Sequence, residues 1–253
     1  MTLAARLRAD ETIFTAWSAI PDSITVEMLC MTAFEAITLD MQHGGHHEDS
    51  ILRGLAPVVA AGKHAVVRIP VGRVDMASRA LDFGAEAVIA PMVNSVADAQ
   101  AFAAAMRYPP VGSRSWGPTF AMSRRRVSDT SAWLKGENDA TLAFAMIETR
   151  EALDALDGIL AVPGIDGVFV GPADFSIAWT DGATVNPSLP DMMDAIGHIA
   201  SRAAAAGKLA AIYVVDPALT TRFRGLGYRF IALGTEARYM TLGAQSLLDA
   251  AQA

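Results

Sequence analysis

Short apolar runs recur along the whole chain with helix-like segments between them, and this alternation constrains the fold more than any other feature. The runs are continuous rather than alternating in polarity, as expected for parallel strands that are covered on both faces. We expect strands near residues 13–17, 36–39, 65–69, 87–90, 142–147, 168–170, 210–215 and 230–233. Eight strands with helices between them, in a chain of 253 residues, predict a (β/α)8 TIM barrel that occupies residues 1–253 as one domain.

Local signals mark some of the helices between these strands. Ser95 followed three residues later by Asp98 has the form of a capping box at a helix start. Gly84 is typical of the position just after a helix and predicts one over 75–83. Gly207, in the same way, predicts a helix over 191–206. In the sequence these helices lie between the predicted strands, as the alternation of a (β/α)8 barrel requires.

Two further segments have a predicted role beyond the barrel itself. The longest irregular region is predicted at 108–137, and a loop of this length is more often functional than idle. The last helix, predicted over 236–251, carries an apolar stripe. That stripe is most simply packed on its own barrel, although a terminal helix can also pack on a neighbouring subunit. The stripe consists of Met240, Ala244, Leu247, Leu248 and Ala251.

Composition excludes several classes of partner. A net charge of −7 and a pI near 5.2 argue against nucleic acid or an anionic membrane. The single cysteine, Cys30, follows an apolar pattern, so a packed thiol in a reducing compartment is expected. The N-terminus carries charges before any apolar run, unlike a signal peptide, and no window approaches the roughly 18 uncharged residues of a membrane helix. We expect a soluble cytoplasmic protein.

Two predicted strands each deliver one acid at their C-terminal end, where a barrel places its active site. The fifth run ends in Glu148, and Thr149 is the better cap for the next helix, which leaves the acid free. The sixth run breaks at Gly171-Pro172, and Asp174 is the next acid. We interpret Asp174 as a carboxylate held in a loop and prefer metal binding over helix capping. Together the two acids predict a divalent metal site.

The other strand ends add polar candidates. The second run leads into Asp40, Gln42 and His43, of which His43 is the better general base because it lies near the strand end. The three histidines His43, His46 and His47 do not make a zinc site the preferred interpretation, because no second group of residues with the spacing of zinc ligands follows them. Arg68 ends a buried strand and needs an anionic partner, either a protein acid or, as we prefer, a substrate.

Several polar residues have simpler interpretations. Asp216 and Glu236 follow strands and are expected to cap the next helices. His46 and His47 are expected to begin a helix as solvated residues. The arginine run 124–126 is expected to be solvated or to lie at a subunit contact, with anion binding as the minority interpretation.

Lysines limit the mechanism. The chain has only Lys63, Lys135 and Lys208; the first and last precede strands, and Lys135 lies in the predicted loop. None is placed to form a Schiff base at the C-terminal end of the barrel, so carbonyl chemistry would need metal activation. The glycine-rich phosphate fingerprints GxGxxG and GxxxxGK[ST] are absent from the sequence.

Taken together, these motifs resemble those of a known family. The chain resembles the metal-dependent class II pyruvate aldolases of the 4-hydroxy-2-oxoheptanedioate aldolase type, within the 2-keto acid aldolase and citrate lyase-like superfamily. The resemblance covers nearly the whole chain. Its marks are Leu39-Asp40-Met41-Gln42-His43, Val67-Arg68, Ala90-Pro91-Met92-Val93, Arg107-Tyr108-Pro109-Pro110-Val111-Gly112-Ser113-Arg114, Ile147-Glu148-Thr149-Arg150-Glu151-Ala152, and Gly167-Val168-Phe169-Val170-Gly171-Pro172-Ala173-Asp174.

The resemblance implies a set of roles. Glu148 and Asp174 would hold Mg²⁺ or Mn²⁺, with Co²⁺, Zn²⁺ or Ni²⁺ as further candidates, and the 2-oxo acid would chelate that ion. The backbone of the segment Gly171, Pro172, Ala173 and Asp174 would bind the substrate carboxylate, and Arg68 would contact the enolate oxygen. His43 would be the catalytic base.

The resemblance also implies features outside one chain's own site. Asp82 would be the acid paired with His43, with the possibility that the pair forms across a subunit contact. The C-terminal helix would pack on a neighbour's barrel in a homohexamer, a dimer of trimers. Gln42 and Met146 depart from the family's usual Glu and Gln, and with Asp40 they are expected to lie beside the metal site.

The function expected is reversible cleavage of a 4-hydroxy-2-oxo acid to an aldehyde and pyruvate, or a related 2-oxo acid such as hydroxypyruvate. One alternative is a citryl- or malyl-CoA-type lyase on the same scaffold, for which the arginines at 124–126 are the only support. A second is a barrel that binds 2-oxo acids without catalysis.

Overall fold

A closed barrel of eight parallel strands, hydrogen-bonded in chain order, forms the centre of the computed structural model, which describes residues 1–252. The strands are β1 (Ile13–Ser18), β2 (Ala36–Asp40), β3 (His64–Arg68), β4 (Ala87–Ala90), β5 (Leu142–Ile147), β6 (Gly167–Val170), β7 (Leu209–Val214) and β8 (Phe230–Thr235). All eight predicted strands are present, and the predicted (β/α)8 barrel is confirmed.

Helices surround this barrel between consecutive strands. They are α1 (Leu3–Arg8), α2 (Ser23–Cys30), α3 (Glu48–Ala60), α4 (Asp75–Phe83), α5 (Val96–Met106), α6 (Thr119–Arg124), α7 (Thr130–Ala140), α8 (Arg150–Asp154), α9 (Leu156–Leu160), α10 (Pro172–Trp179), α11 (Met192–Ala205), α12 (Thr220–Gly225) and α13 (Glu236–Gln252), with one 3₁₀ turn at Pro217–Leu219. The predicted caps are confirmed: the Ser95 hydroxyl accepts the N–H of Asp98, and Gly84 ends α4 with a left-handed φ of 111°. None of these helices is both long enough and apolar enough to cross a membrane.

The pleat of the strands decides which side chains fill the barrel. Alternate residues of a strand point to opposite faces, so Phe144 and Met146 face inward while Ala143 and Ala145 face the helices. The inner cluster contains Trp17 and Phe169 as well. A second, larger cluster lies between the strands and the surrounding helices. Inward-facing side chains at the C-terminal ends of the strands therefore form the floor of any site there.

The N-terminal helix closes the opposite end of the barrel. Leu3 and Leu7 of α1 are buried in the same cluster as the inward-facing strand residues. The helix is held in place because Glu86 accepts the backbone N–H of Leu3 at 2.7 Å. Arg6 forms an ion pair with Glu35 at 2.5 Å. The chain itself thus closes the barrel interior at this end.

The segment at 108–137 is not the loop that the sequence predicted. It contains α6 and most of α7, and Asp129 caps α7 by accepting the backbone N–H groups of Ser131 and Ala132. Arg124 donates to the backbone carbonyls of Phe83 and Leu52 and thereby ties α6 to the outside of the barrel. No side-chain cap marks the start of α6, whereas the Asp129 cap of α7 is local and could have been recognised from the sequence.

Leu7→Ala is expected to lower the free energy of unfolding by about 2–5 kcal/mol, because it leaves a cavity where α1 enters the barrel. The measurement is urea unfolding followed by circular dichroism. Val185→Ala, at a side chain that is 63% exposed, is the control and should change little. Equal destabilisation by both variants would mean that α1 does not plug the barrel.

Candidate active site

One cavity of about 270 Å³ opens at the C-terminal ends of the strands. Most of the predicted site residues line it, namely Asp40, His43, Arg68, Met146 and the segment from Gly171 to Asp174. They meet because the C-terminal ends of all eight strands converge on one rim. Gln42, Glu148 and Asp82 do not line the cavity, and the expectation that Gln42 lies beside the metal site stays a prediction.

Asp40 and Arg68 form a buried ion pair at the centre of this rim. They are direct partners in the register of β2 and β3, and the guanidinium donates from Nε at 2.8 Å and from Nη2 at 2.6 Å to the two carboxylate oxygens. Although burial opposes its charge, the hydrogen bonds from Arg68 hold the pKa of Asp40 below its usual value. The anionic partner of Arg68 is thus a protein acid, whereas a substrate was expected.

Asp40 also organises the neighbouring turn. Its carboxylate accepts backbone N–H groups from Gln42 at 2.9 Å and Gly44 at 3.0 Å, and the indole N–H of Trp17 at 3.2 Å. The turn that these bonds fix carries His43, which is exposed at the cavity. Asp40 therefore places three features of the site at once: Arg68, His43 and the wall formed by Trp17.

Glu148 is fully buried, and only one of its two carboxylate oxygens has a hydrogen-bond partner within residues 1–252. Its Oε1 atom accepts the backbone N–H of Met92 at 2.8 Å, whereas Oε2 has no hydrogen-bond partner among residues 1–252. Burial, reinforced by the negative charge of Asp174, raises the pKa of Glu148 to about 7 despite the hydrogen bond from Met92. A Cβ atom at Gly171 would lie 2.5 Å from Oε2, so the space around that oxygen depends on glycine.

Asp174 lies in the first turn of α10 rather than in the loop that we predicted. Pro172 begins this helix, and the first intrahelical bond runs from the N–H of Phe175 to the carbonyl of Gly171 at 3.0 Å. The N–H groups of Ala173 and Asp174 precede that bond and have no partner within the helix. An anion at the cavity can therefore bind to the positive end of α10.

Asp82 is the one catalytic candidate that does not line the cavity. It lies on α4, where its Oδ1 accepts a hydrogen bond from Arg114, a fully buried side chain, at 2.7 Å. Among residues 1–252 it makes no hydrogen bond with His43. A pair between these two residues would have to form between subunits.

Three cavity residues were missed as functional candidates. Trp17, Phe169 and Tyr213 form an aromatic wall, with ring centroids 5.8 Å apart for Trp17 and Phe169 and 5.4 Å apart for Trp17 and Tyr213. The guanidinium of Arg68 lies 4.9 Å from the Trp17 ring centroid. In the sequence these aromatics look like core residues.

His46 is not solvated, contrary to the prediction. It is 5% exposed and lies between two hydroxyls, with Nε2 2.9 Å from Ser18 Oγ and Nδ1 3.1 Å from Ser50 Oγ. Burial lowers the pKa of His46 to about 4. His47, in contrast, is exposed at the start of α3 as predicted.

The depressed pKa of His46 makes stability depend on pH. Because the unfolded imidazole has an ordinary pKa of 6.5 and the folded one about 4, the unfolded chain binds more protons between these values. The contribution is fully present above pH 6.5 and is lost as the pH falls toward 4, by at most about 3 kcal/mol. We expect the urea-unfolding free energy of His46→Gln to fall less steeply over this window than that of the wild type.

The control for this measurement is His47→Gln, which changes an exposed neighbour and should reproduce the wild-type pH profile. Parallel profiles for His46→Gln and the wild type would contradict the role assigned to His46.

The other polar residues form two groups, those whose hydrogen-bond partners are near in the sequence and those whose partners are distant. Asp216 caps a helical turn by accepting the N–H of Ala218, and Thr149 caps α8, as predicted. Glu236 does not cap its own helix; it accepts the backbone N–H groups of Ala19 and Ile20 after β1. Its partners lie more than two hundred residues away in the sequence, with Ala19 at a separation of 217.

The arginine run and the lysines do not add a ligand site at the cavity. Arg124 bonds to backbone carbonyls and Arg125 pairs with Glu137 at 3.0 Å, and both are half-buried, whereas Arg126 is exposed. The alternative expectation, a subunit contact, stays a prediction. Within the described chain no lysine lines the cavity; Lys63 and Lys208 bond to backbone carbonyls near the N-terminal ends of strands. The support for a CoA-binding site is thereby weakened.

The family resemblance implies a divalent cation, and the oxygen donors around the cavity can be compared with what such an ion needs. Within residues 1–252, no group of three or more His, Cys, Asp or Glu side chains is arranged so that it could hold a metal ion. Hard cations such as Mg²⁺ are nevertheless held by one or two carboxylates, with water and substrate oxygens completing the shell. Oε2 of Glu148 has unused acceptor capacity, and Glu148 is close enough to Asp174 for their charges to interact.

A (β/α)8 barrel that collects acids, an arginine and a histidine around one cavity at its C-terminal rim has the architecture of the TIM-barrel enzymes. Comparison with known proteins identifies the family. A sequence profile described as HpcH/HpaI aldolase/citrate lyase matches residues 14–241. The chain belongs to this family, and the resemblance drawn from its motifs is confirmed.

Individual relatives agree over nearly the whole chain. Hydroxypyruvate/pyruvate aldolase from Roseovarius nubinhibens is 32% identical over 247 residues, which cover 98% of this chain and 95% of that protein. 4-Hydroxy-2-oxo-heptane-1,7-dioate aldolase from Salmonella dublin is 34% identical over 233 residues, which cover 91% and 87%. The crystal structure of an HpcH/HpaI aldolase from Desulfitobacterium hafniense DCB-2 superposes with a TM-score of 0.90 at 22% identity, covering 100% of this chain and 97% of that one.

Proposed function

We propose that the protein is a metal-dependent aldolase that reversibly cleaves 4-hydroxy-2-oxo acids to an aldehyde and pyruvate or hydroxypyruvate. The observation that carries the metal dependence is the buried Oε2 atom of Glu148, which lacks a partner in the described chain. Family membership and the names of the two aldolase relatives support the reaction class. The residues proposed to hold the ion are Glu148 and Asp174, with Mg²⁺ or Mn²⁺ preferred and Co²⁺, Zn²⁺ or Ni²⁺ as alternatives.

The substrate carboxylate is proposed to bind at the start of α10. Pro172 has no N–H, so the N–H groups of Ala173 and Asp174 are the first donors that the helix presents to the cavity. The helix dipole favours an anion at this end. Gly171 contributes by leaving room between this backbone and Glu148. A bound divalent cation would polarise the keto group and favour the enolate form of the 2-oxo acid.

Residues on the rim are proposed to handle the proton and the charge. His43 accepts the proton of the C4 hydroxyl, through water, as the C3–C4 bond breaks and the aldehyde forms. The enolate left behind carries more negative charge on oxygen than the ketone did. Arg68 uses Nε and Nη2 on Asp40, which leaves Nη1 to stabilise that oxygen. The ion pair with Asp40 fixes the guanidinium before the substrate arrives.

Glu148→Gln and Asp174→Asn are each expected to abolish metal-dependent cleavage, because each variant removes a negatively charged ligand while keeping the side-chain shape. The measurements are Mn²⁺ binding by electron paramagnetic resonance and aldehyde release from 4-hydroxy-2-oxo acids. Glu151→Gln, at an exposed acid on α8, is the control and should behave as the wild type. Wild-type turnover by either ligand variant in chelator-treated buffer would refute the metal role.

We propose further that the chain assembles as a homohexamer, a dimer of trimers, in which α13 packs on a neighbour's barrel. Every residue of this helix from 240 to 252 is exposed, including Leu247 at 75% and Leu248 at 55%. The simpler prediction, that the apolar stripe packs on its own barrel, is therefore wrong. Assembly would also allow Asp82 of one subunit to approach His43 of another. The buried free thiol of Cys30 fits a reducing compartment such as the cytoplasm.

Leu247→Glu combined with Leu248→Glu is expected to shift the protein to a smaller assembly, since it places charge on the apolar stripe of α13. Light scattering after size-exclusion chromatography gives the mass. Ser246→Glu adds a charge on the opposite side of the same helix and should leave the assembly intact. An unchanged mass for the double variant would rule out this use of the stripe.

A further inference from the structure

Met92 has a backbone conformation that its own side chain does not explain. Its φ is +53°, in the left-handed region that costs free energy for any residue with a Cβ atom. The side chain is 37% exposed, so packing does not hold it there. Non-glycine residues in this region persist where the surrounding structure determines them, often at functional sites. The left-handed φ of Met92 is therefore explained by the contacts of its backbone rather than by those of its side chain.

The segment around Met92 is fixed at both ends. Pro91, directly before it, is buried and follows β4. Asn94, directly after Val93, accepts the hydroxyl of Thr149 through Oδ1 at 2.7 Å and donates its backbone N–H to Asp98 at 3.2 Å. Thr149 is the residue next to Glu148. The turn after β4 is thereby tied to the end of β5 at Thr149, beside the acid proposed to bind metal.

The left-handed turn at Met92 has one consequence for that acid. The N–H of Met92 donates to Oε1 of Glu148 at 2.8 Å, while Oε2 is left buried without a partner among the described residues. Without this hydrogen bond the carboxylate could rotate, and either oxygen could face Met92 or the space beside Gly171. With Oε1 engaged, Oε2 faces the space that Gly171 leaves open, since a Cβ atom there would lie 2.5 Å from it.

We propose that Met92 is a positioning residue, whose left-handed backbone commits one oxygen of Glu148 to the protein and thereby presents the other to the divalent metal. This inference rests on the proposed metal site and adds a residue whose side chain does not line the cavity. Because the backbone acts and the side chain does not, the tolerance of position 92 should follow left-handed propensity rather than size or hydrophobicity. Glycine and asparagine adopt this conformation readily, whereas β-branched residues do so very rarely.

The test compares Met92→Val with Met92→Gly and Met92→Asn. Mn²⁺ binding to the metal-free protein is titrated by electron paramagnetic resonance, and the thermal unfolding midpoint of each metal-free variant is recorded separately. Met92→Val is expected to weaken Mn²⁺ binding by about tenfold or more, as loss of an outer contact to a metal ligand typically does. The glycine and asparagine variants should bind Mn²⁺ as the wild type does, although both remove the methionine side chain.

The outcomes separate this inference from the proposed function. Wild-type affinity in Met92→Val, or equal weakening in all three variants, would overturn the positioning role while leaving the metal site intact. Failure of the wild type itself to bind Mn²⁺ would instead overturn the metal site. Should Met92→Val not fold, an amide-to-ester exchange at position 92 removes the N–H and keeps the side chain. That substitution must weaken Mn²⁺ binding for the inference to stand.

Discussion

The site depends on the buried ion pair between Asp40 and Arg68. A buried pair is tolerated only when its remaining hydrogen-bonding capacity is used, because taking two charges out of water is costly. Asp40 meets this condition through the indole of Trp17 and the backbone N–H groups of the following turn. The same bonds that satisfy the charge therefore place the turn of His43 and one wall of the cavity. The contacts that stabilise the ion pair are therefore also the contacts that shape the proposed site.

The barrel and much of its site followed from the sequence because strand ends converge in this architecture. Once the apolar runs were placed, Asp40, Arg68 and Glu148 had to lie on one rim, and the structure brings them there. The aromatic wall of Trp17, Phe169 and Tyr213 did not follow. Whether an apolar residue is the last inward one before the cavity depends on the stagger of strands around the closed barrel, which one strand's sequence does not contain.

Predictions about single polar residues succeeded when the partner was local. Thr149 and Asp216 bond to backbone groups two or three residues away, and such caps can be recognised from spacing alone. His46 and Glu236 failed because their partners, Ser18 and the backbone after β1, are adjacent only in the folded chain. The apolar stripe of α13 failed for a related reason: periodicity shows that a face is apolar but not which surface covers it.

Two buried carboxylates at the same rim differ in whether the chain gives them a cation as a partner. Asp40 has a cation, Arg68, which holds the pKa of Asp40 below its usual value. Glu148 is buried as completely but receives one backbone N–H and no direct cation, and its pKa is raised to about 7. A carboxylate in such a place can be kept ionised by a positive charge from outside the chain. At the proposed metal site, a divalent ion would give Glu148 what Arg68 gives Asp40, and Oε2 is the oxygen of Glu148 that has no partner within the described chain.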